Sequence, residues 1–599
     1  MKTTARILII ILLIVSHFIV TALFVWSSAI LYLVVTLLSI VSVIQFWKSE
    51  KLLKISIPEI LLSLFVFYVC LNNVFNGTLL GNGSLFNYLI FCLLYFSFVF
   101  LYNSDKGIVR FMFLGLFAGF SLELIVGYGQ LFGVIPNVDS KFVMGGLFGN
   151  PGAFAGYLAI FSTFLLAVVC FYKDLFKSEN FLFAILFSFF CAICLIILCD
   201  SRGAWLAICI SFSFILNQKY RFTNTIQSLL KTKGSKIITS VLLLVTITVV
   251  SIALFHYKKE SAQGRLLIWK ISKDMIIKNP LFGSGSGSFG TDYGKIQASY
   301  FLNNKFSENE VRLADYVTCA YNEFLEMVIE LGIIGLLLFV AILYFALAKQ
   351  QNENSTKYNI AAKASLIALL VLSTVSYPFN ILPIMLLFVI CLFVIFRTEQ
   401  YKTFTISKHN KLLVSIWFLA VLALTYFGSR QVYGMYYFTN GYAKVLKNDL
   451  KNGINDYKKA NLFLNNSGEF QFYYGAALYL NHDYQVSIIH LKKAVRLNSD
   501  PHAFLILGNA LQKNKQYNQA EQAYLMVTGI TPAKLYPKYL LTKLYIDMQQ
   551  VDKALKMAKA IMKAKEKKTT TAGTEIKTKI KILIDRYSKP NVKSLKKSL

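Results

Sequence analysis

The sequence predicts an all-α, polytopic integral membrane protein of about thirteen transmembrane helices, ending in an α-solenoid of short helical repeats. Three observations carry that expectation. The 599 residues are 56% hydrophobic and 15% charged, with a mean hydropathy of +0.55, too apolar for a soluble multidomain chain. The apolar stretches long enough to cross a hydrocarbon layer about 30 Å thick all lie before residue 428. Beyond it the chain turns polar and repeats with a period near 34 residues.

Lys2 and Arg6 precede an apolar run from Ile7 to Trp26, too long for the apolar core of a signal peptide, and Ser27-Ser28-Ala29 leads straight into a second run, so the chain opens as a membrane hairpin. The spans read as 7–26, 30–46, 58–75, 85–102, 108–132, 152–172, 181–199, 203–216, 237–255, 324–348, 361–377, 382–396 and 411–427. Lys48, Lys51, Lys54, Lys106, Arg110, Lys173, Lys177, Lys219, Lys231, Lys349, Lys363, Arg397 and Lys402 fall in alternate loops, and the other short loops hold almost only Lys141 and Arg202. Positive charge marks the cytoplasmic side, which places the N-terminus inside and, after an odd number of spans, the C-terminal part outside.

The net charge of +31 does not argue for nucleic acid. In the loops the positive-inside rule accounts for it, and in the tail attraction to anionic lipid or glycan is the better reading. Of nine cysteines, Cys191 and Cys194 form a CxxC, but inside an apolar run with no second pair and no His, so they read as small core residues and no metal site is expected.

In the tail, Gly441, Gly453, Tyr457 and Ala460 recur as Gly475, Ser487, Leu491 and Ala494, then as Gly508, Ala520, Tyr524 and, further on, Tyr545, Ala554 and Ala558. This resembles the tetratricopeptide repeat, in which small residues let antiparallel helices pack closely. The expected domains are a membrane domain over 1–427 with an external loop at about 256–323, a repeat domain over 428–567, and a basic tail over 568–599 that includes Lys596 and Lys597.

Chemistry gathers at one stretch, Thr318 to Gly335, where a polar loop enters an apolar span with Asn322, Glu323, Glu326 and Glu330 at helical spacing. Carboxylates at the positive end of a helix are favoured electrostatically, so the acids are either a helix start or the rim of a site. Tyr321-Asn322-Glu323-Phe324-Leu325-Glu326 and Leu331-Gly332-Ile333-Ile334-Gly335 resemble the signature of the O-antigen ligase and polysaccharide polymerase superfamily of membrane glycosyltransferases. Leu147-Phe148-Gly149-Asn150-Pro151, Asp200-Ser201-Arg202-Gly203, Gly264-Arg265-Leu266 with Trp269, and Asn279-Pro280-Leu281-Phe282-Gly283 are similar to further motifs of that family, in the family's order. The departures are at Gly152, where the family usually has a second Asn, and at Tyr321, where it has the histidine usually taken as its base.

The resemblance implies a GT-C-like enzyme of the bacterial inner membrane, with its repeat domain in the periplasm. The implied reaction is metal-independent, inverting transfer of a preassembled glycan from undecaprenyl diphosphate to an acceptor hydroxyl, with lipid A-core as the acceptor and no cofactor. It assigns Arg202 and Arg265 to the departing diphosphate, Tyr321, Asn322 and Glu323 to the acceptor, and Asn150, Ser201 and Trp269 to substrate binding. Glu123, a carboxylate inside the fifth span, joins them because ionisable residues at that depth are costly unless they work, though a structural pair explains it equally. Arg265 opens an amphipathic segment with Lys270, Lys273 and Lys278 on one side and Trp269, Ile276 and Ile277 on the other, as in an interfacial helix. The alternatives are a protein O-oligosaccharyltransferase acting on Ser or Thr, for which the repeats would hold a periplasmic protein, a glycan polymerase, and, outside the class, a lipid-glycan flippase or a membrane scaffold.

Overall fold

The computed structural model describes residues 1–20, 24–48, 52–77, 83–171, 178–222, 232–303, 306–348, 358–399, 401–406, 411–564 and 570–588. Lys51, Lys173, Lys177, Lys231 and Lys349 of the charge pattern, and Lys565, Lys567, Lys568, Lys596 and Lys597 of the basic end, lie outside them. The described chain is helical apart from one two-stranded ribbon. It forms two compact units: Met1–Phe75, Gly83–Lys258 and Tyr321–Val432 make the first, and Asn76–Asn82, Lys259–Ala320 and Tyr433–Leu599 the second.

The first unit holds α1 (Lys2–Val15), α2 (Phe24–Lys48), α3 (Ile57–Phe75), α4 (Gly83–Ser104), α5 (Ile108–Leu131), α6 (Pro151–Phe171), α7 (Glu179–Leu198), α8 (Arg202–Tyr220) and α9 (Lys233–Tyr257). After the second unit's intervening segment come α13 (Glu323–Leu347), α14 (Asn359–Ser373) and α15 (Leu382–Thr398). Among the described residues seven helices are long and apolar enough to cross a membrane, and α14 and α15 are shorter apolar helices. The first expected span is interrupted, since α1 ends at Val15 and a 3-10 turn covers Ser16–Val20.

Burial sorts these helices. α6 is buried from Ala153 to Leu165, and α15 on nearly all sides, so they form the centre; α14 packs against α6 and α8. α7 instead turns Phe183, Phe187, Phe190 and Ile197 outward, an exposed apolar face of the kind a membrane-spanning helix presents to lipid. Cys194 also lies on an exposed surface, so it is not the core residue expected, while Cys191 is half-buried.

A ribbon of Leu53–Ser56 and Thr403–Ile406, paired antiparallel with Leu53 opposite Ile406, joins segments far apart in sequence. Beside it the buried Glu59 accepts from Ser56 N at 2.7 Å and Tyr95 OH at 2.9 Å and pairs with Arg397, while Lys363 meets Glu399 at 2.8 Å. These two buried pairs are thus matched in charge.

In the second unit α10 (Lys259–Lys278), α11 (Ser288–Asn303) and α12 (Glu308–Leu313) precede α17 (Leu450–Leu464), α18 (Gly468–Leu480), α19 (Tyr484–Leu497), α20 (Pro501–Lys513), α21 (Tyr517–Ile530), α22 (Leu535–Asp547), α23 (Val551–Lys563) and α24 (Thr571–Ser588). Helix α16 (Lys411–Leu446) begins as the last expected span and continues unbroken for 36 residues. Each of α17 to α24 packs on the next. Asn448, His482, Lys515 and Gln549 all hold φ between 58 and 65, each in the turn between two successive helices. A Cβ on Gly475 would lie 2.6 Å from Leu491, and one on Gly508 2.5 Å from Tyr524, so the same small residue faces the same bulky position in successive pairs.

The segment 288–316 belongs to this body. Gln297, 1% exposed, donates from Nε2 to Ile530 O at 2.7 Å and Asp315 O at 3.0 Å; Tyr316 OH donates to Asn498 Oδ1 at 2.7 Å; Ser499 Oγ donates to Gly290 O at 3.0 Å. α10 buries Leu267, Ile268, Ile271 and Met275 within the unit, so its inward face differs from the expected apolar side, and Ile277 is 64% exposed.

Candidate functional site

The first unit organises its motif residues around a turn between α14 and α15. The expected span 361–377 stops as a helix at Ser373, and Pro378–Asn380 forms a 3-10 turn, because Pro378 cannot donate to a continuing helix and Pro383 starts the next. Glu323, 8% exposed at the first position of α13, accepts at Oε1 from Phe379 N of this turn at 2.8 Å. Tyr321 sets its ring edge-on to Tyr377, with centroids 5.4 Å apart. Tyr321 holds φ 53, a left-handed conformation that reverses the chain before the helix. Asn322 caps it, its Oδ1 accepting from Leu325 N at 3.0 Å.

The Asp200–Gly203 motif reaches the same turn. A Cβ on Gly203 would lie 3.2 Å from Val375 Cγ2 and 3.4 Å from Leu372 Cδ2, so the start of α8 sits against it. Asp200 takes φ 52 to turn α7 into α8, and Lys258 Nζ ties that turn down, 2.7 Å from Asp200 Oδ2 and 2.6 Å from Asp200 O. Ser201 is at the N-cap position of α8 without a side-chain cap bond, and Arg202, half-buried, is its first residue. Leu372 also touches α6, 3.5 Å from where a Cβ on Gly156 would stand.

Past the turn, Gly332 breaks α13 with φ 68 and ψ −176, a conformation open essentially to glycine alone, and Tyr68 OH donates to the preceding carbonyl of Leu331 at 2.6 Å. The signature's glycine therefore kinks the helix.

Glu123 lies apart from this rim. It is fully buried in α5, and its Oε2 accepts from Leu147 N at 3.0 Å, under the loop that leads to Asn150. Asn150 Oδ1 accepts from Gly152 N at 2.8 Å. Arg265 and Trp269 are in the second unit, on α10: Arg265 is half-buried, and Trp269 Nε1 donates to Ala320 O at 2.9 Å, which fixes the chain one residue before Tyr321. The glycine run between α10 and α11 has φ of 72, 94 and 80 at Gly283, Gly285 and Gly287, a turn requirement that accounts for it. Among the described residues no three of His, Cys, Asp and Glu are grouped to hold a metal ion.

Sequence reading missed the turn itself. Tyr377 and the Phe379 amide were hidden inside and just after a stretch read as membrane span, and the signals available were Pro378 and Asn380. It also missed Lys258, whose partners, the carbonyl and carboxylate of Asp200, no spacing rule reveals.

The matched region covers the Asp200–Gly203 motif and the signature helix but not the turn at 372–381, Glu123 or Asn150. The "O-Antigen ligase" family profile matches residues 187–340. A "Putative polysaccharide ligase" of Rickettsia felis is 30% identical over 117 residues, 20% of this chain and 27% of the relative. One of Rickettsia typhi is 29% identical over 125 residues, 20% of this chain and 28% of the relative. The chain thus spans less than a third of either relative. Residues 187–340 carry the Asp200–Gly203 motif, Arg265, Trp269 and the kinked signature helix, and it is through them that the chain is similar to the O-antigen ligase family.

Proposed function

We propose that this protein transfers a preassembled glycan from undecaprenyl diphosphate to a hydroxyl of lipid A-core at the periplasmic face of the bacterial inner membrane. The observation that carries the reading is the convergence of two family motifs, Asp200–Gly203 and Tyr321–Glu323, on the Leu372–Ile381 turn. The acceptor oxygen attacks the anomeric carbon, the bond from that carbon to the diphosphate oxygen breaks, and the diphosphate leaves with the electron pair. Direct displacement inverts the anomeric centre. Arg202 receives the developing charge, for which a planar guanidinium is suited, and Arg265 is the second cation that the family resemblance assigns to it. Glu323 Oε1 is held by the Phe379 amide, which leaves Oε2 to take the acceptor's proton, a task to which a carboxylate is better suited than a phenol. No metal or nucleotide enters these steps.

A second reading, transfer to Ser or Thr of a periplasmic protein, is favoured by the helical repeats, a scaffold suited to peptides. Mass spectrometry of lipid A-core and periplasmic proteins from a deletion strain separates the two. Glycan lost from lipid A-core supports the first, glycan lost from proteins supports the second, and loss from neither sinks both.

A further inference from the structure

The loop carrying Asn150 hangs from two polar side chains of a membrane helix. Glu123 and Gln130 stand two turns apart on α5, both buried, at 0% and 3% exposure. Gln130 Oε1 accepts from Gly145 N at 2.9 Å and Gly146 N at 2.8 Å, and its Nε2 donates to Gly146 O at 3.0 Å. With the Leu147 amide on Glu123 Oε2, three successive backbone amides are turned inward, so they do not form an anion-binding nest for a phosphate. Gly146 holds φ 59, and a Cβ there would fall 2.4 Å from Glu123 Oε2; one on Gly145 would fall 2.5 Å from the backbone of Gly149. Both glycines are what allow the loop to lie this close.

At the loop's end Asn150 divides its amide between two tasks. Oδ1 caps α6, accepting from Gly152 N at 2.8 Å and Ala153 N at 3.3 Å. That leaves Nδ2, with two hydrogens, as the donor that the loop keeps for a ligand. Polar groups this deep in an apolar body are expensive unless matched, and here the matching fixes one loop.

We propose that Gln130 and Glu123 are positioning residues that fix the 145–150 loop so that Asn150 Nδ2 donates to an oxygen of the diphosphate-linked donor. This rests on the function proposed above. Glu123 acts through one oxygen, Oε1 having no protein partner, so a neutral amide in its place serves equally well.

The test uses the full-length protein in lipid vesicles with a polyprenyl diphosphate-linked glycan, varying donor concentration. Asn150→Asp keeps the cap, since Asp caps as well as Asn, but replaces the donor with an acceptor; melting temperature holds while the donor KM rises about tenfold, the scale of one lost hydrogen bond to a charged group. Gln130→Ala raises the same KM with kcat retained, and adds little in the Asn150→Asp background, because both changes remove one contact. If Gln130→Ala does not fold, Gln130→Glu, which loses the Nε2 donations to Gly146 O and Asn137 Oδ1 but keeps an oxygen for the Gly145 and Gly146 amides, replaces it. Glu123→Leu raises the donor KM and Glu123→Gln restores it. A wild-type donor KM in Asn150→Asp, with wild-type turnover normal, overturns this inference alone. Wild-type protein that forms no product overturns the functional reading and this inference together.

Discussion

Glu323 Oε1 and the backbone amide of Phe379 are 2.8 Å apart, and this bond fastens the first residue of the signature helix to a turn 56 residues further along. The carboxylate is thereby aimed before any substrate arrives. Glu323→Gln keeps an oxygen for the Phe379 amide but cannot take a proton. It should lower kcat about 10²- to 10⁴-fold, the range for loss of a general base, without changing melting temperature. Tyr321→Phe should cost less than about tenfold, since its ring contact with Tyr377 survives. Equal losses in both variants would move the base away from Glu323.

Gly332 should resist substitution. At φ 68 and ψ −176 an alanine is strained by at least ~1–3 kcal/mol, and straightening the helix would withdraw the Leu331 carbonyl from Tyr68. Gly332→Ala should therefore lower the melting temperature and activity together, whereas Gly264→Ala, where no atom lies within 4 Å of the added carbon, should do neither.

Lys258→Met should separate stability from turnover. The Lys258–Asp200 pair is about 40% exposed on each side, so its removal costs at most ~1 kcal/mol of stability. Freed from Lys258, the Asp200 carboxylate competes for Arg202, and donor KM should rise about fivefold, the equivalent of ~1 kcal/mol. An unchanged KM would show that this pair does not serve Arg202.

The second unit carries a pH-sensitive pair. Lys270 meets Glu310 at 2.7 Å; its hydrogen bond holds the Glu310 carboxyl down at about 2 and raises the Lys270 ammonium. A lowered carboxyl gives stability present above the ordinary carboxylate range and lost as pH falls through its folded value. A raised ammonium gives stability present below its ordinary range and lost as pH climbs above it. The melting-temperature difference between wild type and Glu310→Gln should thus be steady from about pH 5 to 9 and vanish towards pH 2. A difference that persists at pH 2 would refute the assignment.

Removing residues 434–599 should leave the first unit folded and unravel the segment 288–316. That segment rests on the repeats through Gln297 to Ile530 and Tyr316 to Asn498. Limited proteolysis should then cut between α10 and α13 while α1 to α8 stay protected; protection of 288–316 would show that the segment folds alone.

What was legible in the sequence followed short-range rules. Apolar runs announced the helices of the first unit, and the spacing of Gly441, Gly475 and Gly508 announced the helical pairs, because each is set by neighbours within about one repeat. The motif residues were legible by resemblance, but not their arrangement. The Phe379 amide has no side-chain signature, and a glycine in an apolar run does not show that Gly332 kinks the helix. The grouping of 259–320 with the repeats was hidden because its bonds join residues such as Gln297 and Ile530, 233 positions apart. Glu123 was singled out by depth alone, and only the fold shows it holding Leu147 N.

The central claim is glycan transfer from a polyprenyl diphosphate by a site containing Arg202, and reconstitution tests it most directly. Full-length protein in vesicles, given undecaprenyl diphosphate-linked glycan and lipid A-core without added metal or nucleotide, should yield glycosylated lipid A-core and one undecaprenyl diphosphate per transfer. Arg202→Lys, equally expressed, should lose nearly all of that product, because a lysine keeps the charge without the planar fork. No product from wild-type protein, or full product from Arg202→Lys, would contradict the account.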